Sequence, residues 1–404
     1  MSSIPHLEAA VETLVNDSDV SLSRAARKRL VAFVLGVLVA GTVVLRRVAT
    51  TQSHICLGAA SAASHERRLR RTLNEPTLGA VPMYGRVVRR VLRRLPASQR
   101  LWVIVDESGH SDVVRVLLAA LWYRGRALPL GWVLWQGQQP HDQSYWSDCA
   151  TLLEQVASLL PAGQPVSVLG DRAFGCPAFT DMVLAHGWDY VVRVQGQTRF
   201  QQSDGSTLAL RSLLEQPGSH WYGEGRAFKK QGWRTVAVAA YWRLGCREPL
   251  LLVSSLPASL ELVRHYRLRS AIEALFRDWK SSGWQWEATQ VRAVEHQRVL
   301  VVVLALATLV TLCLGEEAAK EILAQPPQRG KRRPWHARES LFRLGRERLW
   351  QRLWQDDTSP ITWELSQFAA PNWSTECWQT ARPDAQPLFL TERVGRREHR
   401  RSVA

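Results

Sequence analysis

The sequence predicts a mixed α/β chain in which a strand-rich centre is flanked by helical ends. Three observations lead there. Apolar, β-branched runs such as LWVIVDES and QPVSVLGD punctuate residues 101–194 and alternate with helical stretches. The first hundred residues instead repeat Val, Leu and Arg at helical spacing. The segment Tyr266–Lys280, YRLRSAIEALFRDWK, has one polar and one apolar face when wound as a helix. A chain of 404 residues exceeds one small core, so several domains, or a core with insertions, are expected.

Taken in order, SLSRAARKRLVAFVLGVLVAG opens on Ser and stops on Gly, as a capped helix does. SAASHERRLRRTLNE and GRVVRRVLRRLP follow as Arg-studded helices. Together they suggest a helix-turn-helix-like DNA-binding domain over residues 1–95, or a solvated basic face without specificity. From Leu101, LWVIVDES reads as a strand ending in Asp106. VVRVLLAALWYRGRALPLGWVLW then reads as two strands joined near Arg124 and Gly125. A helix (SDCATLLEQVASLLPAG), a strand ending in Asp171 (QPVSVLGD), a helix (CPAFTDMVLAHG) and a strand (WDYVVRV) complete the series. This β-β-β-α-β-α-β order is what a ribonuclease H-like core requires, expected over 100–315. The polar, Gly- and Trp-containing stretch at about 195–257 breaks the pattern as a β-rich insertion. Residues 316–404 are expected to be a basic helical region with a linker at 325–334 and a disordered tail, RVGRREHRRSVA.

The net charge of +16 is unevenly distributed. Residues 1–100 carry 16 Lys and Arg against 6 acids, 101–319 carry 20 against 20, and 320–404 carry 16 against 10. A neutral body between basic arms, rich in Arg rather than Lys, suits a polyanionic partner. The six scattered cysteines form no C-x-x-C pair, which argues against zinc and disulfides. Glu8 and Glu12 interrupt any leader-like start, so a cytoplasmic location is expected. The uncharged runs Val31–Leu45 and Val299–Leu314 are short for a bilayer and read as buried core helices, with no membrane partner.

At about 100° per residue, Tyr266, Arg269, Glu273 and Lys280 share one face of their helix. Leu268, Ala271, Ile272, Leu275 and Trp279 form the opposite apolar stripe. Asp106 and Asp171 emerge from strand ends, and the Glu273 helix must pack against that sheet. Three converging carboxylates offer hard oxygen ligands suited to Mg²⁺ or Mn²⁺. Two such ions can serve an in-line phosphoryl displacement.

Asp106 in VIVDES, Asp171 in LGDRAFG, Arg193 closing DYVVRV, and Y-x2-R-x3-E-x6-K at Tyr266, Arg269, Glu273 and Lys280 resemble the DDE transposases of the insertion-sequence-4 family. The similarity spans roughly residues 20–350. It implies that Asp106, Asp171 and Glu273 hold two divalent ions, and that Tyr266, Arg269 and Lys280 grip phosphates near the cleaved element end. It further implies hairpin formation at each end, strand transfer into target DNA, and a homodimer bridging two ends of double-stranded DNA inside a bacterial cell, at the nucleoid. Relatives carry a Trp where this chain has Leu250; Trp242 on the neighbouring strand either substitutes by stacking on an extruded base or packs within the insertion. Arg172 either assists at the acids or forms a structural ion pair. His110 and His265 are read as bystanders. A degenerate copy that only binds DNA and represses transposition, and a ribonuclease H-like nuclease that hydrolyses without joining, are the alternative functions.

Overall fold

The run LWVIVDESGH becomes β1 (Leu101–His110), the strand on which the architecture turns. The computed structural model describes residues 3–16, 22–55, 60–79, 81–92, 95–110, 113–137, 145–324 and 339–365. In it, β2 (Val114–Tyr123) pairs antiparallel with β1, and β3 (Arg126–Gln136) folds back on β2. Their turn is Arg124 and Gly125, both at positive φ (48° and 80°), as a two-residue hairpin of this hand demands. β4 (Val166–Gly170) and β5 (Asp189–Arg193) lie parallel to β1 on its other side. The connections into them run through α6 (Tyr145–Leu159) and α7 (Pro177–Ala185). The expected succession of three strands, helix, strand, helix, strand is therefore present.

The stretch after β5 is β-rich but not set apart. It supplies β6 (Arg199–Gln201), β7 (Thr207–Ala209), β8 (His220–Ala227), β9 (Arg234–Tyr241) and β10 (Leu250–Ser254). β10 pairs antiparallel with β5, so the ten strands of the described residues make one sheet in the order β3-β2-β1-β4-β5-β10-β9-β8-β6-β7.

Among the described residues, five helices precede the sheet: α1 (Ser3–Asn16), α2 (Arg24–Ala40), α3 (Leu45–His54), α4 (Ala62–Leu73) and α5 (Val81–Val91). The side chain of Ser23 accepts from the Ala26 amide, and Gly41 closes α2 at φ 64°, so the Ser start and Gly stop both act as caps. The apolar run Val31–Leu45 is thus two helices rather than one, broken where Gly41 turns left-handed. After the sheet come α8 (Leu260–Tyr266), α9 (Ser270–Trp279), α10 (Val294–Ala324) and α11 (Leu341–Trp354).

α10 is the central helix. Val299–Leu314 is buried throughout, with α2, α4, α5, α11 and β3 packed around it. Long and apolar enough to cross a bilayer, it spends its whole apolar window inside the protein. It also runs unbroken past residue 315, where the sequence suggests a boundary. α11 crosses α10 at two glycines: a Cβ on Gly315 would stand 2.2 Å from the Leu341 carbonyl oxygen, and one on Gly345 only 1.8 Å from that of Thr311. Gly345→Leu is therefore expected to push the helices apart and cost upwards of about 1–3 kcal/mol in urea unfolding; an unchanged midpoint would show that the crossing adapts freely. The linker at 325–334 and the basic tail at 393–404 lie outside the described residues.

Candidate active site

Sheet register brings the two aspartates together. Val105 on β1 is the parallel partner of Gly170 on β4, so Asp106, the next residue of β1, and Asp171, the first residue past β4, lie at one level. Gly170 is in turn level with Val192 on β5, which puts Arg193 on the same rung. Adjacent strands lie about 4.8 Å apart, so three charged side chains emerge from a strip about two strand spacings wide. Asp106 is not the end of its strand. β1 continues to His110 because its hairpin with β2 outlasts its pairing with β4.

The loop after β4 is shaped by its own motif. Asp171 accepts from the Ala173 amide at 2.8 Å and so caps a short 3-10 turn, Arg172–Phe174. Gly175 then passes over the end of β5, where a Cβ would fall 2.3 Å from the Arg193 carbonyl oxygen. The second glycine of LGDRAFG is therefore a close-approach position.

The segment carrying the Y-x2-R-x3-E-x6-K residues is not one uniform helix. It tightens to 3-10 geometry at Arg267–Arg269, and Lys280 is the C-cap of α9, with non-helical backbone at ψ −100°. Its apolar side is as expected: Leu268, Ala271, Ile272, Leu275 and Trp279 are all buried. The Trp279 indole N–H donates to Thr308 Oγ1 on α10 at 3.0 Å, and that of Trp284 donates to the same hydroxyl at 3.3 Å. α9 is thereby anchored to the core while its other face meets the aspartates.

Arg269 is the hub of that meeting. Its guanidinium donates to Asp106 Oδ2 at 2.8 Å and also to Glu273 Oε1. Burial alone would weaken its charge, but Tyr266, Asp106, Glu273 and Asp171 together hold its pKa above the ordinary arginine value. Burial pushes the Asp106 carboxyl up to about 6; Arg269 opposes the rise and the nearby Asp171 charge adds to it. Burial also raises the Tyr266 phenol to about 12, with Arg269 and Arg193 opposing and the two aspartates reinforcing. Asp106, Asp171, Glu273, Tyr266, Arg269 and Arg193 thus form one electrostatic group.

Arg172 and Arg193 share a partner that the sequence does not advertise. Glu248, on the loop before β10, accepts from Arg172 and lies 3.6 Å from Arg193. Only the pairing of β10 with β5 brings it there. Two residues of the expected set make their contacts elsewhere. Lys280 pairs with Glu287 at 3.3 Å. Trp242 donates its indole N–H to the Cys246 carbonyl, and the Arg211 guanidinium covers its ring at 4.1 Å, so the insertion packs it. His265 stacks on Trp102, and His110 lies edge-on to Trp286.

Among the described residues, no three His, Cys, Asp or Glu side chains stand in a ready-made metal cage. The donors nevertheless fit a hard divalent cation. They are all carboxylate oxygens, with Asp106 and Asp171 at one level of the sheet and Glu273 joined to Asp106 through Arg269.

A pH dependence follows. Asp106 and Asp278 are both raised to about 6, chiefly by burial; around Asp278, Arg126, Arg277 and Arg346 oppose the rise. Between about pH 4 and 6 the folded protein keeps protons that the unfolded chain has released, so stability falls as pH rises through that window and levels off above it. Urea unfolding across the window is expected to show this decline, with a shallower slope for Asp278→Asn. An identical slope would remove Asp278 from the explanation.

A family model described as a transposase DDE domain matches residues 119–310. The span contains Asp171, Arg193 and the whole Tyr266–Lys280 segment; Asp106 precedes it and joins it through the β1–β4 rung. No curated protein matches the chain. Among solved structures, a cryo-EM structure of a piggyBac transposase synaptic complex with hairpin DNA is similar with a TM-score of 0.45 and 10% identity, over 92% of this chain and 84% of that one.

Proposed function

We propose that this chain is a DNA transposase of the insertion-sequence-4 type, which binds the terminal inverted repeats of a mobile element, cleaves its ends and joins them to target DNA. The observation that carries the reading is the shared rung of Asp106 and Asp171, facing a helix whose Arg269 ties Asp106 to Glu273. The transposase DDE domain match over 119–310 supports the same reading. So does the strand order β3-β2-β1-β4-β5, with β1, β4 and β5 parallel, which is the arrangement of a ribonuclease H-like core. The core would occupy 100–315 with its insertion at 195–257, between a DNA-binding region at 1–95 and a basic C-terminal region at 316–404.

Asp106, Asp171 and Glu273 would hold two divalent ions, Mg²⁺ or Mn²⁺, which when bound supply activation of the attacking oxygen and charge neutralisation at the leaving one. The chain's other residues orient the strand. Arg269 keeps Asp106 and Glu273 at one place before substrate arrives. Tyr266, with its phenol held neutral, can donate to a phosphate oxygen, and Arg193 and Arg172 offer forked donors on the same side. Lys280, at the end of α9, would reach phosphate further along the strand. A homodimer would bring two ends together.

The test is an assay with the full chain, Mg²⁺ and DNA carrying the inverted repeats found beside the gene. Cut ends joined to a target plasmid are expected. Cutting without joining would indicate a nuclease, and binding without cutting a repressor; either result rejects the proposal.

A further inference from the structure

We propose that α2, the turn at 41–44 and α3 form a helix-turn-helix reader whose second helix, α3, enters the major groove of duplex DNA with Arg46, Thr50 and His54 toward the base edges. The inference rests on the transposase reading and adds to it the surface that selects the sequence.

α2 and α3 meet at a bend of 92°. Four residues join them, beginning with left-handed Gly41, and a near-perpendicular helix pair on a short Gly-containing turn is the frame of this motif. The crossing is close. A Cβ on Gly36 of α2 would lie 2.7 Å from Val48 Cγ1 and 2.8 Å from Gln52 Nε2 of α3. Gln52 donates across the crossing to the Ala32 carbonyl at 2.7 Å, so a buried amide fixes α3 against α2.

The faces of α3 are cleanly divided. Leu45, Val48, Ala49 and Gln52 are buried, whereas Arg46, Arg47, Thr50 and His54 are exposed. At about 100° per residue, Arg46, Thr50 and His54 fall within an arc of about 80°. α3 has no acidic residue. α4, which packs on α3, exposes Arg67, Arg68 and Arg71, and its lone acid Glu66 is engaged by Arg70. An uncharged-to-basic ridge with a basic rim complements a groove walled by phosphates. In the groove, Arg suits the guanine O6 and N7 pair, and the Thr methyl suits the thymine methyl.

The reader is also fixed relative to the acids. The Val43 amide donates to the Trp284 carbonyl at 2.8 Å, and Arg47 Nη1 donates to Gln285 Oε1 at 2.9 Å. Both acceptors follow shortly after α9. Arg47 is therefore a tether rather than a reader, and DNA held by α3 would be held at a set distance from Glu273.

The experiment is selection by the full-length protein from a duplex library randomised over about 20 bp, two helical turns. The unaltered chain is expected to enrich a motif. Arg46→Ala and Thr50→Ala should each lose preference at one or two neighbouring positions, weakening the best sequence roughly 5- to 100-fold while binding scrambled DNA much as before. Arg67→Ala and Arg68→Ala should weaken all sequences alike and lower the log-log salt slope by about 1 each. All four positions are exposed, so unchanged thermal midpoints serve as the folding control. The proposal is overturned if Arg46→Ala and Thr50→Ala enrich the original motif unchanged, if the unaltered chain enriches none, or if single-stranded RNA outcompetes the duplex. Selection reads binding alone and the end-joining assay reads chemistry, so a failure of cleavage and a failure of reading are separately visible.

Discussion

Asp106→Asn and Glu273→Gln proteins are expected to bind DNA ends but to cut them more than about 100-fold more slowly than the unaltered chain. Even residues that only support a metal ligand change activity by about 10- to 100-fold, so loss of a ligand itself should exceed that range. Both substitutions keep the shape of the side chain and remove its charge. They should leave the fold in place, because both side chains are only half-buried. Neutralising either acid also leaves Arg269 with one carboxylate instead of two, which can strengthen its hold on phosphate. Tighter DNA binding combined with lost cleavage would therefore be the most informative outcome. Cleavage within about tenfold of normal would remove these acids from the chemistry.

Trp279→Ala should cost about 3–5 kcal/mol in urea unfolding. Trp279 is fully buried, donates to Thr308 and meets Trp286 edge-on with ring centroids 6.1 Å apart. Its removal leaves a large void directly beneath the helix that carries Glu273. Cleavage should consequently fall even at temperatures where the variant remains folded, because Glu273 is then held less firmly against Asp106. A loss under about 1 kcal/mol would mean that α9 is secured by something other than this anchor.

Much of this site is legible in the sequence because local patterns decide it. β4 ends where the apolar run ends, so Asp171 is found at a strand terminus. The apolar face of α9 follows from residue spacing alone, and the Ser23 and Gly41 caps follow from residue type. The less legible parts depend on partners distant in the chain. Asp106 sits mid-strand because β1 has two neighbours of unequal length. Glu248 reaches Arg172 only through the joining of β10 to β5, a pairing between segments separated by the whole insertion. Counting at a single helical pitch places Lys280 on the stripe of Tyr266, Arg269 and Glu273, but the 3-10 turn at Arg267–Arg269 changes the pitch and α9 stops before Lys280. The Gly stop marks the end of α2 but not the 92° turn that follows it. The apolar run continues across Gly41 into Val43, Val44 and Leu45, so hydrophobicity alone reads straight through the break.

The proposed chemistry requires that Asp106, Asp171 and Glu273 act together on one class of hard cation. Calorimetric titration of Mn²⁺ into the DNA-bound protein addresses it most directly, comparing the unaltered chain with Asp106→Asn, Asp171→Asn and Glu273→Gln. Binding by the unaltered complex that is weakened or abolished in each variant is expected; the same binding in all four proteins would contradict it.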